Sequence, residues 1–275
     1  MKIITRSKAE TLLYLEPKVR LFKVPKLLSF SVLFLKKDFP IIFGKIQNTF
    51  KGCKVALRSS AADEDGHTNS SAGEYASVLN ISSDKPKKIK EAINTVIASY
   101  EEKRPLLPDD EVIIQEMVQN TTMSGVIFTH DLNTGAPYYV INYDDQSGLT
   151  DTVTSGGGEY ANRTLYVHRN SIDNLRSDRF TKLLQAVQEL EQVMESKFLD
   201  IEFALGKDLT PYLLQVRAIT TKPNWNRAVS RRINATLQGV QAFVTERFKK
   251  IDGVYGENTL LGQMPDWNPV EMIGR

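Results

Sequence analysis

Residues 199–220 read LDIEFALGKDLTPYLLQVRAIT, and this stretch decides the fold. Two apolar segments flank the turn residues GKDLTP, a pattern that predicts a β-hairpin. Successive side chains of a strand point to opposite faces, so Asp200 and Glu202 share one face of the first strand. Gln215 and Arg217 share one face of the second strand for the same reason. The hairpin is therefore expected to bring carboxylates, a carboxamide and a guanidinium together.

These polar groups indicate either a ligand site or a structural ion pair. Burying an acid, an amide and an arginine without a ligand is costly. A carboxylate and an amide oxygen are hard donors that can hold Mg²⁺ together with substrate phosphates. The alternative is a buried Glu202–Arg217 ion pair in a purely structural sheet, and the hairpin alone leaves both interpretations open.

A second constellation lies upstream, in VALRSSAADEDGHTNSSAGEYASVLNI, residues 55–81. A strand ends at Arg58, and a run of hydroxyl, acidic and small residues then leads through Ser71, Ala72 and Gly73 to another strand. A rigid guanidinium fork beside exposed backbone N–H groups suits a phosphate. The alternative is that Arg58 pairs with one of the acidic residues 63–65 at a solvated turn.

Two further patterns are less specific. The apolar strand IIQEMVQN, residues 113–120, runs into a loop whose backbone could meet a purine, with Met117 either on the ring or in an ordinary core. The loop GLTDTVTSGGGE, residues 148–159, permits close approach to a ligand or forms a mobile flap. Neither a P-loop nor a Rossmann glycine pattern occurs, and the three histidines lack metal-ligand spacing.

The remaining periodicities predict helices and strands of an α+β fold. Apolar residues at three- and four-residue steps predict helices over residues 85–100, 180–194 and 229–248. Aromatic and β-branched segments predict strands over residues 112–118, 124–130 and 137–143, with an antiparallel meander as the simplest arrangement. In the first fifty residues, short apolar runs between prolines and lysine pairs favour short strands and turns.

Composition and charge argue against several classes of protein. The 275 residues are 41% hydrophobic and 25% charged, and the net charge of +2 disfavours nucleic-acid binding by bulk electrostatics. Cys53 is the single cysteine, so no intrachain disulfide can form and a reducing cytoplasm is the expected compartment. A secretory signal and a membrane span of roughly 20 apolar residues are not expected from the sequence.

Taken in order, these segments resemble the N-terminal nucleotide-binding domain of pyruvate phosphate dikinase and phosphoenolpyruvate synthase. The similar stretches are VALRSSAADED, SSAGEYASVLNI, IIQEMVQNTTMSGVIFTHDLNTG, DIEFAL and LLQVRAIT, and the region they cover runs from about residue 50 to 220. The resemblance implies an ATP-grasp-like fold with two lobes, residues 1–110 and 111–222, and a nucleotide cleft between them. Residues 223–275 are then expected to form a helix and a connector toward downstream domains.

The resemblance also implies roles for individual residues, with ATP and Mg²⁺ as the ligands. Arg58 and Arg217 would grip the ATP phosphates, and Lys8, which matches the family's opening lysine, would reach them too. The loop of Ser71, Ala72 and Gly73 would cover the triphosphate. Residues lining the adenine would be Glu116, Met117 and Val118. Residues holding Mg²⁺ would be Glu202 and Gln215.

The sequence departs from the family pattern at several points. Arg6-Ser7-Lys8 stands where the family has Gly-Gly-Lys, and Gly148-Leu149-Thr150-Asp151 stands where it has Gly-Leu-Gly-Glu. The family's phosphohistidine domain, with its Thr-Ser-His segment, and its pyruvate-binding barrel have no counterpart in these 275 residues. A fragment of a longer protein, incomplete by itself as an enzyme, is therefore expected.

The function implied by the resemblance is the ATP half of a phosphotransferase. ATP would pass its β-phosphoryl group to a histidine on a separate domain, in cis or in trans, leaving AMP and phosphate. A glutamine kinase of the same family is one alternative, and a ligase that makes an acyl phosphate and ADP is another. A regulatory module that has lost nucleotide binding is the third.

Overall fold

Two antiparallel β-sheets organise the part of the chain that the structure, a computed structural model, describes. This part comprises residues 7–61, 75–150, 153, 163–219, 227–247, 250 and 252. The first sheet has four strands in the order β1, β4, β2, β3, and the second has five in the order β7, β6, β5, β8, β9. The chain divides into two units, residues 1–224 and 225–275, and both sheets belong to the first.

The first sheet is built from residues before position 117. Its strands are β1 (Leu27–Ser31), β2 (Lys54–Ser60), β3 (Ser77–Ser82) and β4 (Glu111–Glu116). Its apolar face shares a core with helices α2 (Val32–Lys37), α3 (Phe39–Phe50) and α4 (Pro86–Glu101). Leu57 and Ile114, paired across β2 and β4, are fully buried in that core.

The second sheet follows directly in the chain. Its strands are β5 (Thr121–Phe128), β6 (Tyr138–Asp144), β7 (Arg163–His168), β8 (Leu199–Gly206) and β9 (Pro211–Ala218). Its apolar face shares a core with helix α1 (Lys8–Leu15), helix α5 (Asp178–Val193) and the short 3-10 helix Ile172–Asn174. Leu27 of β1 and Ile113 of β4 also belong to this core, so the first sheet packs on the second through part of its other face.

Helix α6 (Arg227–Arg247) belongs to the second unit and is amphipathic. No helix in the described ranges is both long and apolar enough to cross a bilayer.

Most of the predicted elements are confirmed. The α+β class, the β8–β9 hairpin and the three amphipathic helices, now α4, α5 and α6, are present as expected. The division into lobes at residue 110 stays a prediction. The chain passes from the first sheet to the second between Glu116 and Thr121, through Asn120 with φ of 54°.

Two predictions were wrong. The three-strand meander fails at its first strand, because β4 pairs with β1 and β2 and only β5 and β6 pair with each other. The first fifty residues are mainly helical. The apolar run at residues 27–35 is split where Ser31 caps α2 by accepting a hydrogen bond from Phe34 N. Pro40 occupies the first turn of α3, where a missing N–H is tolerated.

A buried polar cluster joins α5 to the second sheet. The carboxylate of Glu191 accepts hydrogen bonds from both terminal nitrogens of Arg169 at 2.7 Å and from the Tyr139 hydroxyl at 3.0 Å. Arg169 also donates to the Thr129 carbonyl at 2.9 Å, and only 14% of its side chain is exposed. Arg169 and Glu191 are largely shielded from water, so each charge is stabilised by the other.

We predict that Glu191→Ala lowers the free energy of unfolding by about 3–5 kcal/mol, since it leaves the guanidinium of Arg169 buried without its counter-charge. Urea unfolding measures the change. Glu91→Ala, at an exposed position of α4, is the control and is expected to stay within about 0.5 kcal/mol of wild type. Equal losses in the two variants would contradict the prediction.

His130 gives the stability a pH dependence. Burial, and then the positive charge of Arg169, lower the pKa of His130 to about 4, while its Nδ1 lies 2.9 Å from the Lys197 carbonyl. The unfolded chain takes up this proton near pH 6.5, whereas the folded chain takes it up only near pH 4. The contribution of His130 to stability is thus present above pH 6.5 and is lost as the pH falls toward 4.

We therefore predict that His130→Gln flattens the decline in stability between pH 6.5 and pH 4. Urea midpoints of wild type and variant, measured at matched pH values, give the difference directly. Parallel pH profiles would show that His130 does not carry this dependence.

Candidate nucleotide-binding site

An ion pair connects the two sheets. Nη1 of Arg58, on β2, donates to Oε2 of Glu202, on β8, at 3.0 Å. The two side chains are 14% and 23% exposed. The Nε–H of Arg58 is buried and has no hydrogen-bond partner among the described residues. A buried guanidinium nitrogen without an acceptor is suited to a ligand oxygen.

The hairpin places four polar side chains in two adjacent cross-strand pairs. Asp200 lies opposite Arg217, and Glu202 lies opposite Gln215. Nε and Nη2 of Arg217 donate to Oδ2 of Asp200 at 2.8 and 2.6 Å. Among the described ion pairs, each acid therefore has its own arginine, and the alternative Glu202–Arg217 pair is not the one that forms.

Lys8 is brought to the same cluster by α1. Ser7 caps this helix by accepting from Glu10 N at 3.3 Å, and its hydroxyl donates to Glu111 of β4 at 3.2 Å. Burial raises the pKa of Asp200, while the nearby charges of Arg217 and Lys8 oppose that rise. The first residue of α1 thus contributes positive charge to the acids of β8.

The predicted adenine residues lie where the chain leaves the first sheet. Met117 N donates to the Lys54 carbonyl at 2.9 Å, which holds this segment against β2. A cleft of about 120 Å³ opens beside it. The residues lining the cleft are Lys54, Asn80, Met117, Val118, Gln119, Asn120, Gly148, Leu149 and Thr150.

Glu116 is not among the residues lining this cleft. It ends β4, and its Oε1 lies 3.6 Å from the Cys53 thiol. The structure therefore brings Met117 and Val118 to a cleft and leaves the side chain of Glu116 beside it.

The base of the loop after β6 is fixed by its own hydrogen bonds. The Asp144 carboxylate accepts from Gln146 N at 2.8 Å, from Ser147 N at 3.0 Å and from the Ser147 hydroxyl. Ser124 of β5 donates to the Leu149 carbonyl at 2.6 Å. Gly148, with φ of 69°, follows directly and begins the part of the loop that borders the cleft.

The cleft and the ion cluster lie along one strand. Lys54 and Arg58 are four residues apart on β2, so their side chains point to the same face and their Cα atoms are roughly 13 Å apart. Lys54 and Asn80 were missed by the sequence analysis. The alternation along β2 could have indicated Lys54, whereas no sequence signal we used indicated Asn80.

The donor set fits a hard cation. Glu202 and Gln215 lie directly opposite each other, and each offers a side-chain oxygen of the kind that Mg²⁺ prefers. Within the described ranges, no group of three or more His, Cys, Asp or Glu residues is arranged to hold a metal alone. Such a pair would need phosphate oxygens or water to complete the coordination. Ser71, Ala72 and Gly73, and the acids at 63–65, lie outside the described residues.

Comparison with known proteins agrees with this geometry. The family model for the pyruvate phosphate dikinase AMP/ATP-binding domain matches residues 35–157. The prodigiosin synthesizing transferase PigC of Serratia marcescens is 28% identical over 209 residues, covering 62% of this chain and 23% of PigC. The uncharacterized phosphotransferase YvkC of Bacillus subtilis is 27% identical over 236 residues, covering 68% of this chain and 26% of YvkC. The chain spans about a quarter of each of these relatives.

Solved structures with some likeness include ligases. D-alanyl-alanine synthetase A from Vibrio cholerae has a TM-score of 0.44 at 14% identity, covering 87% of this chain and 64% of that one. An L-amino acid ligase from Bacillus licheniformis has a TM-score of 0.45 at 13% identity, covering 90% of this chain and 47% of that one.

The family match spans β2 to β6, so it contains Arg58 and all the residues that line the cleft. Over residues 35–157 the chain is similar to the pyruvate phosphate dikinase AMP/ATP-binding domain.

Proposed function

We propose that this chain binds Mg-ATP between its two sheets and supplies the ATP half of a phosphotransferase. The observation that carries the proposal is Arg58, which reaches from one sheet to the other and keeps a buried Nε–H without a partner in the described residues. An anionic oxygen entering the space beside it would satisfy that donor. A purely structural ion pair gives no reason for an unsatisfied nitrogen at this position.

The charges around Arg58 favour a polyanion. Arg58, Arg217 and Lys8 carry positive charge, and Asp200 and Glu202 carry negative charge, so these five described side chains together have one positive charge in excess. Fixed guanidinium forks bind phosphate oxygens through short, charge-assisted hydrogen bonds. The triphosphate would therefore lie over β8 and β9, with Arg58 and Arg217 as its main contacts.

The base would occupy the cleft at Met117 and Val118. The cleft lies roughly 13 Å from Arg58 along β2, so the ribose and the α-phosphate would span the interval between them. Met117 supplies a polarisable thioether suited to packing on a ring. Lys54 of β2 and Thr150, in the loop after β6, border the same cleft, so the first sheet and a loop of the second would contact one nucleotide.

Glu202 and Gln215 would hold Mg²⁺. When bound, this ion neutralises phosphate charge and orients the phosphoryl group for transfer. Arg58, bonded to one carboxylate oxygen of Glu202, would keep that side chain oriented toward the phosphates. Asp200 would do the same for Arg217.

The transfer itself would require a histidine on a domain outside this chain. In the proposed reaction the histidine takes the β-phosphoryl group, leaving AMP and, with water, phosphate. Support comes from the family match and from relatives named as a transferase and a phosphotransferase, of which the matched region covers 23% and 26%. A glutamine or other amino-acid kinase would use the same ATP module with a different acceptor.

We predict that the chain binds ATP in the presence of magnesium and that Arg217→Ala weakens binding by roughly ten- to a hundredfold. The reason is that a charge-assisted hydrogen bond contributes about 1.5–3 kcal/mol and 1.4 kcal/mol is tenfold in affinity. Isothermal titration calorimetry measures both dissociation constants. Arg163→Ala is the control, because Arg163 forms an exposed ion pair with Asp145 and lies opposite Tyr143, away from the polar face.

Folding must be controlled, since Arg217→Ala leaves Asp200 buried without its partner. The double variant Asp200→Asn with Arg217→Met removes both charges and serves as the second test. Absence of binding by wild type, or equal binding by wild type and both folded variants, would count against a nucleotide site here.

We further predict that the chain alone leaves ATP intact. His168 is buried, and His130 Nδ1 is engaged with the Lys197 carbonyl. Neither of these two described histidines is therefore suited to accept a phosphoryl group from ATP. Phosphorus NMR of Mg-ATP with the chain should show no AMP above the buffer rate. Stoichiometric ADP upon addition of a carboxylate acceptor would instead favour the ligase alternative.

A further inference from the structure

We infer that Asn80 reads the edge of the base in this cleft and makes the module selective for adenine over guanine. The inference rests on the proposed function, since it concerns the same nucleotide. Asn80 lines the cleft together with Lys54 and the segment Met117 to Asn120. Its side chain is exposed, so the carboxamide can meet a ligand in solution.

Asn80 sits in a β-bulge. Val55 pairs with Ile81 and Leu57 pairs with Val78, so Leu79 and Asn80 together oppose the single residue Ala56. Asn80 has φ of 61°, in the left-handed region that asparagine tolerates better than most residues. A bulge redirects a side chain relative to the regular alternation of the strand.

A second asparagine, Asn120, has a similar φ of 54° and borders the same cleft. Its conformation has a separate explanation, because there the chain turns from the first sheet into the second. At Asn80 the strand continues on both sides, and the left-handed backbone belongs to the β-bulge. The bulged residue Asn80 is one of the residues that line the cleft.

Part of the backbone of the segment Met117 to Asn120 is already engaged. Met117 N donates to the Lys54 carbonyl at 2.9 Å. The Met117 carbonyl accepts from Gln119 Nε2 at 3.3 Å, and the Val118 carbonyl accepts from Thr121 Oγ1 at 3.4 Å. Side chains that border the cleft can therefore add to the hydrogen bonds that this segment offers a base.

The chemistry of a carboxamide matches adenine. It offers an acceptor oxygen and donor N–H groups side by side, which pair with the N6 amino group and N7 of adenine. Guanine presents two acceptors, O6 and N7, at the corresponding edge, so the oxygen of the carboxamide would face an acceptor. The ammonium group of Lys54 only donates hydrogen bonds and would by contrast favour guanine. Asn80 and Lys54 would therefore favour different bases.

The test is the ratio of the dissociation constants for GTP and ATP, measured with magnesium by calorimetry. Asn80→Gly removes the carboxamide and keeps a residue that adopts positive φ without strain. We expect wild type to bind ATP more tightly than GTP, and Asn80→Gly to reduce the ratio by roughly five- to a hundredfold. Affinity for inorganic tripolyphosphate should stay unchanged, because Asn80 lies at the base end.

Asn120→Gly is the matched control, with the same residue type, a similar φ and the same cleft, and it should keep the wild-type ratio. Melting temperatures confirm that both variants are folded. If Asn80→Gly weakens ATP and GTP binding equally, or weakens neither, the ratio stays unchanged and Asn80 does not select the base. The proposed ATP site would stand in that case. Wild type that binds neither nucleotide would overturn the proposed function and this inference together.

Discussion

The Arg58–Glu202 contact is the polar constraint at the place where the two sheets meet over the candidate site. The sheets also share apolar packing, since Leu27 of β1 and Ile113 of β4 lie in the core of the second sheet. Polar side chains do not pack on each other as core residues do, so a specific contact is needed where they meet. A partly buried ion pair fixes which residues of the two sheets meet at this point, although such pairs contribute little net stability compared with apolar packing.

The small net stability of such an ion pair is an advantage in a site that must admit a ligand. A well-packed apolar contact at the position of this ion pair would close the space that a nucleotide needs, whereas an arginine and a carboxylate can each bind a further partner. Arg58 keeps its Nε–H, and Glu202 keeps the oxygen that Arg58 does not contact in the described hydrogen bonds. The groups that connect the sheets are thus also the groups suited to phosphate and Mg²⁺.

Sequence periodicity predicted the hairpin well, because strand alternation fixes which side chains share a face. From it the neighbours Asp200, Glu202, Gln215 and Arg217 followed directly. The partners of Arg58 did not follow, since the contact to Glu202 joins residues 144 positions apart in different sheets. The assignment of β4 to the first sheet was missed for a related reason: pairing with β1 and β2 is set by long-range packing, not by the composition of the segment.

The contact of Asp200 with Arg217 shows a further limit of sequence patterns. Asp200 was placed on the correct face, but only the coordinates show that it holds the Arg217 guanidinium through two nitrogens. An arginine fixed in this way loses less conformational freedom when a phosphate binds, so the pairing favours binding even though it occupies two donors. Burial raises the pKa of Asp200 and the charge of Arg217 opposes that rise, which ties the ionisation of the acid to the position of the guanidinium. In the proposed complex the β8–β9 hairpin would therefore preorganise the phosphate contacts, and the bulge at Asn80 with the segment Met117 to Asn120 would recognise the base.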